Sequence, residues 1–324
     1  MNIRLVIKLV SKVLIVEAGC MLPSLLVALY YGESPLPFLY AVALLLLFGF
    51  PFSFLKADSR FYAREGYLTV GLAWLLLSLF GALPFFFSGL SESFVDCFFE
   101  SVSGFTTTGG TILTAVEGLP KGILFWRSFT HFMGGMGVLV LAIAILPSLG
   151  PRTHFLMQAE SPGPVSSKLV PKLSQSSKIL YLIYCGIAVI EMIALRLCGL
   201  NTYDAVVHAL GTVGTGGFST YNASIAAFNN PAAEWVITIF MLLCSVNFAL
   251  YFMILTGRVR DVFRSDEFRF FLGMVGLSIA AVTINISHLC ENIGTALRLA
   301  AFQVATVVST TGYATADFLF PVSQ

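Results

Sequence analysis

The chain has 324 residues, 57% of them hydrophobic and only 11% charged, with a mean hydropathy of +0.88. A soluble protein keeps about 25% charged residues, so lipid rather than water is the main solvent here. A net charge of +1 lacks the basic face a nucleic-acid partner needs. The six scattered cysteines form no C-x-x-C pair, which argues against a zinc site or a disulfide framework.

Seven segments are long enough to span a hydrocarbon core that takes about 20 apolar residues. They cover roughly 5–31, 36–55, 66–88, 122–149, 178–199, 234–256 and 269–289. Arg4, Lys8, Lys12 and Glu17 interrupt the first apolar run and no small-x-small cleavage site follows, so 3–31 reads as a retained helix rather than a leader. Pro35 and Pro37 open the second segment, Pro84 allows a kink near the end of the third, and Pro147 and Pro151 close the fourth.

Fourteen of the 18 basic residues fall in alternate connections. They lie in the N-terminal arm, in 56–65 (Lys56, Arg60, Arg64), in 150–178 (Arg152, Lys168, Lys172, Lys178) and in 257–269 (Arg258, Arg260, Arg264, Arg269). The positive-inside rule puts these connections, and the N-terminus, in the cytoplasm. The other connections carry Glu33, Glu92, Asp96, Glu100, Glu117, Asp204, Glu234, Glu291 and Asp317, and face outward. The Pro/Ser/Gly-rich stretch 151–177 reads as a flexible linker or docking surface.

On the acidic side a polar glycine–threonine stretch occurs three times: Ser103–Thr111, Gly211–Ser219 and Ser309–Thr315. Aligned on Gly109, Gly216 and Gly312, the copies sit 107 and 96 residues apart, an internal repeat. Each follows a short amphipathic stretch (Ser91–Ser103, Tyr203–Gly211, Gly294–Val308) too short to cross a membrane. Such a helix ends with unpaired carbonyls and a negative dipole end, which attract a cation. Glycine permits positive φ, and threonine adds neutral oxygens that replace hydration water. The ion-holding residues expected on this reading are Thr107, Thr108, Gly109, Gly110, Gly214, Thr215, Gly216, Gly217, Thr310, Thr311, Gly312 and Tyr313. Taken singly, each copy is equally a turn that lets helices pack closely. Three copies, on one side and at a common period, favour the cation.

The run Asp96–Gly109, with Trp126-Arg127, Gly134-Gly-Met-Gly137, Gly216–Thr220 and Asp266–Arg269, resembles the TrkH/KtrB superfamily of potassium-uptake proteins over nearly the whole chain. The two extra N-terminal helices match its TrkH branch. The resemblance implies an all-α integral protein of the cytoplasmic (inner) membrane. Its pseudo-fourfold pore would be built of helix–pore loop–helix units, with potassium passing one filter glycine per unit. It also implies a homodimer and a cytosolic nucleotide-binding subunit of the TrkA type. On that plan residues 1–60 are two preceding helices, 61–150 unit one, 151–177 a linker, 178–260 unit two and 261–324 part of unit three. The rest of unit three and all of unit four are then expected from elsewhere, because the chain is incomplete or another polypeptide completes it. The contrasting expectation is a non-conducting scaffold or remnant.

Arg127 reads either as an interface anchor or as a brace for the first loop through Glu100. His131 reads as a packed helix residue rather than a ligand, and Gly134, Gly135 and Gly137 as a packing surface. Asn247 either bonds across helices or faces a cavity. No HExxH, nucleophile elbow or Walker loop is present, so neither an enzyme nor a bound cofactor is expected; potassium enters as the transported ion.

Overall fold

The structure, a computed structural model, describes residues 2–56, 62–135, 137 and 173–315. Arg60, Arg152, Lys168, Lys172, Asp317, the linker as far as residue 172 and the second half of the expected fourth span lie outside the described residues. Within them every regular element is a helix.

Among the described residues five stretches are long and apolar enough to cross a membrane: Ile3–Tyr30, Leu36–Ser53, Arg64–Phe87, Ile179–Leu197 and Asp266–Leu289. Two are jointed. The first divides into α1 (Ile3–Cys20) and α2 (Leu22–Tyr30), and the third into α4 (Ala63–Gly81) and α5 (Leu83–Phe87). In both, a proline stands second in the new helix, Pro23 and Pro84. It lacks an N–H and crowds the carbonyl four residues back, so the helix restarts. The second span is α3 (Leu36–Ser53), followed later in the chain by α6 (Phe94–Phe105) and α7 (Lys121–Gly135).

The expected sixth span is broken without proline or glycine. α10 (Pro231–Ser245) stops, Val246 is extended, and α11 (Phe248–Leu255) begins. The Leu243 carbonyl left at the break accepts from the Val246 N–H and from the Tyr251 hydroxyl. Asn247 lies at this break and is exposed. The other helices of this half are α8 (Leu173–Leu197), α9 (Thr202–Val213), α12 (Val259–Arg264), α13 (Asp266–Ile286) and α14 (Ile293–Val308).

The chain forms two compact bodies. Among the described residues the first comprises 2–56, 62–106, 110–113, 118–135, 137 and 173–181; the second comprises 107–109, 114–117 and 182–315. In the first, α1 packs against α3 and α4, and Leu9, Phe38, Leu45, Phe85 and Trp126 fill the core. Gly137 packs on the Trp74 ring. The Trp126 indole N–H donates to the Gly81 carbonyl at 3.0 Å, at the joint between α4 and α5. In the second body, α14 packs against α10 and α13 around Leu195, Ile237, Met241 and Phe302.

The entry of α7 is fixed by charge. The Glu33 carboxylate accepts from the backbone N–H of Lys121 at 2.6 Å and of Gly122 at 2.9 Å. These are two of the donors that a helix N-terminus leaves without internal partners. Glu33→Ala removes both bonds and should destabilise the first body by about 1–2 kcal/mol. Thermal unfolding in detergent micelles measures it, and an unchanged midpoint would show that α7 is held without this cap.

Candidate functional site

Three short helices carry the glycine–threonine stretches. α6 and α9 have 12 residues each and α14 has 16. At 1.5 Å per residue they reach about 18–24 Å, short of a core of ~30 Å. All start alike: the side chains of Ser93, Asn201 and Asn292 accept from the N–H three residues on, at Asp96, Asp204 and Thr295. Small oxygen-bearing side chains are the usual solution at that position.

They also end alike. The residue two past each helix is a threonine with left-handed backbone: Thr107 at φ 54°, Thr215 at 54° and Thr310 at 57°. Two residues later comes a glycine with positive φ: Gly109 at 74°, Gly217 at 79° and Gly312 at 85°. The backbone therefore aligns Gly217, not Gly216, with Gly109 and Gly312, and the copies lie 108 and 95 residues apart. This corrects the sequence alignment by one position in the second copy.

Helix ends with unpaired carbonyls were expected. In copies two and three the loop itself caps them. The N–H of Thr215 donates to the Thr212 carbonyl at 2.9 Å, and that of Gly216 to Gly211 at 2.9 Å. The N–H of Thr310 donates to Val307 at 3.1 Å, and that of Thr311 to Thr306 at 3.0 Å. This paired closure normally places glycine in the left-handed position. A β-branched residue there is an outlier, and strain of this kind collects at functional sites.

Within the second body the loops meet backbone to backbone. A β-carbon on Gly109 would lie 2.0 Å from the Gly216 carbonyl oxygen and 3.8 Å from that of Thr311. One on Gly217 would lie 1.9 Å from the Thr311 oxygen. Only glycine permits either approach. The same atom on Gly312 would meet nothing within 4 Å among the described residues. Gly214 is the residue that closes α9. The hydroxyls of Ser309 and Thr311 lie 2.6 Å apart, and Thr310 Oγ1 donates to its neighbour's carbonyl. Gly110 lies in the first body, where its carbonyl accepts from Ser103. Thr108 is exposed.

Arg127 is buried, with 2% of its surface exposed, which excludes a role as a solvent-facing anchor. Its Nε closes on the carboxylate of Glu100, which is also buried. Glu100 in turn accepts from Thr111 Oγ1 at 2.9 Å and from the Ile112 N–H at 3.4 Å. The pair thus ties α6 and α7 to the outgoing limb of the first loop. His131 is buried one turn further along α7.

Sequence reasoning missed a second polar cluster. Asp204 accepts from Thr220 Oγ1 at 2.9 Å and from the Tyr221 hydroxyl at 3.2 Å. His208 Nδ1–H donates to the Asp204 carbonyl at 2.8 Å, and its Nε2 lies within hydrogen-bond distance of the Ser219 hydroxyl at 3.0 Å. The available signal was a histidine four residues after an aspartate, with a Ser-Thr-Tyr run eleven residues further on. Three or more His, Cys, Asp or Glu side chains able to hold a metal occur nowhere among the described residues. The oxygens at the loop contacts are neutral.

Arg127→Gln would leave Glu100 charged, buried and unpaired, a change that costs about 3–5 kcal/mol. Arg127→Lys should not restore it, because the contact uses the in-plane Nε–H at the edge of a guanidinium, which lysine lacks. Folded yield and thermal midpoint decide; a native midpoint in Arg127→Gln would refute the pairing.

The family model described as a cation transport protein, TrkH, matches residues 38–319. The chain is 37% identical over 325 residues to the Trk system potassium uptake protein TrkH of Salmonella typhimurium and to that of Escherichia coli K12, covering 97% of this chain and 67% of each relative. The crystal structure of the potassium transporter TrkH from Vibrio parahaemolyticus superposes with a TM-score of 0.86 at 31% identity, over 98% of this chain and 66% of that one. The chain therefore spans about two thirds of the length of these relatives.

Proposed function

The chain belongs to the TrkH family of cation transport proteins, and from that membership we propose that it takes part in potassium uptake, its three loops forming most of a selectivity filter. Its relatives are transporters rather than enzymes, and this chain shares that class. The observation that carries the filter reading is the close approach of Gly109 to the Gly216 oxygen and of Gly217 to the Thr311 oxygen. The Gly216 and Thr311 oxygens both lie within 4 Å of the β-position of Gly109, and neutral oxygens gathered in this way suit a weakly hydrated monovalent ion. The contact is directional, glycine of one copy to carbonyl of the next, as in a ring built from head-to-tail units. Gly312 carries the glycine side of a third such contact, and a fourth loop would supply its oxygen.

On this reading the N-terminus is cytoplasmic, in the inner membrane, and the membrane potential drives the ion inward. One hundred millivolts contributes about 2.3 kcal/mol per charge. Control by a cytosolic nucleotide-binding partner, and a homodimer, belong to the same proposal. They rest on the family resemblance alone. The competing reading is a membrane scaffold that keeps the fold without conducting.

Rubidium uptake into a potassium-uptake-deficient host separates the two. Gly109→Ala and Gly217→Ala each drive a methyl group into a neighbouring carbonyl. Each should lower uptake at least ~10-fold, corresponding to about 1.4 kcal/mol lost along the path. Uptake indifferent to both substitutions would discard the filter assignment, and a well-expressed chain that transports nothing would favour the scaffold.

A further inference from the structure

The three copies share one more hydrogen bond, and they make it in two ways. Four residues before the left-handed threonine stand Ser103, Gly211 and Thr306; three residues after it stand Gly110, Phe218 and Tyr313. In copy one, Ser103 Oγ donates to the Gly110 carbonyl at 2.6 Å. In copy three, Thr306 Oγ1 donates to the Tyr313 carbonyl at 3.0 Å. Each bond ties the peptide just past the filter glycine back to its short helix.

Copy two has glycine at the donor position and no hydroxyl of its own. The phenol oxygen of Tyr313, from copy three, stands in that space. It lies 3.3 Å from the Phe218 carbonyl oxygen and 3.1 Å from that of His208, so its one proton is shared between them. A β-carbon on Gly211 would lie 2.3 Å from the same phenol oxygen. Tyr313 is fully buried, its ring 5.9 Å from that of His208. The missing hydroxyl and the space for its replacement thus occur at the same residue.

We propose that Tyr313 is a positioning residue for the second loop: its phenol replaces the absent helix hydroxyl and fixes the Phe218 carbonyl, so the third copy sets the geometry of the second. Phe218 follows Gly217, which touches the Thr311 oxygen, so a swing of this peptide acts directly on that contact. The proposal rests on the loops forming the filter only for its transport readout.

The test uses the full chain with Tyr313→Phe, Gly211→Ser and Gly211→Ala, singly and combined. Tyr313→Phe keeps the ring and should lower discrimination of rubidium over sodium about fivefold, the scale of one lost hydrogen bond. Adding Gly211→Ser to Tyr313→Phe should restore it to within about twofold, since a hydroxyl then returns to the donor position. Adding Gly211→Ala, which fills the space without a donor, should not. Unchanged discrimination in Tyr313→Phe, or equal rescue by serine and alanine, overturns the proposal. Thermal unfolding gives a second cycle that needs no transport. Gly211→Ser should be harmful beside Tyr313 and harmless beside phenylalanine, and additive costs would overturn the shared space whatever the chain conducts.

Discussion

The arrangement depends on a near-contact between backbones. Loops from three distant parts of the sequence approach until a single β-carbon would collide with the next carbonyl oxygen. Contacts this tight leave no room for a side chain, so the backbone on either side must be held accurately in place. Much of the polar chemistry buried nearby can be read as that support. Glu100 and Arg127 secure the first loop, Asp204 and His208 the second, and Ser309 with Thr306 the third.

The left-handed threonines belong to the same balance. Glycine would close each helix with less strain, yet threonine stands there three times. Each costs on the order of 1–3 kcal/mol, and around the second and third the paired hydrogen bonds hold the backbone in that conformation. A side chain that brings an oxygen to a loop otherwise built of glycine is a physical reason to accept that cost.

The sequence was informative wherever one property dominates. Apolar length marked the spans, Pro84 marked a joint, and the spacing of Gly and Thr marked the loops. It was silent where the outcome rests on contacts between distant segments. The second copy holds adjacent glycines, Gly216 and Gly217, and composition could not say which one takes positive φ; the left-handed Thr215 settles it. The break at Val246 follows no proline or glycine and is sustained by the Tyr251 hydroxyl, eight residues beyond the Leu243 carbonyl it donates to. His208 has no partner at metal-ligand spacing along the sequence; its partners are a carbonyl one turn back and Ser219, the last residue of the loop stretch.

The short helices differ in one respect that bears on the field they set up. α6 and α9 carry an aspartate in the first turn, Asp96 and Asp204; α14 carries none and is four residues longer. A helix start acts as roughly half a positive charge, which, on the proposed filter, would partly cancel any attraction the far end offers a cation. Two of the helices mute that opposing pole with a carboxylate, while the third withdraws it by about 6 Å. Screening and distance are thus two routes to one electrostatic end, and a helix that shortens has reason to acquire an acid.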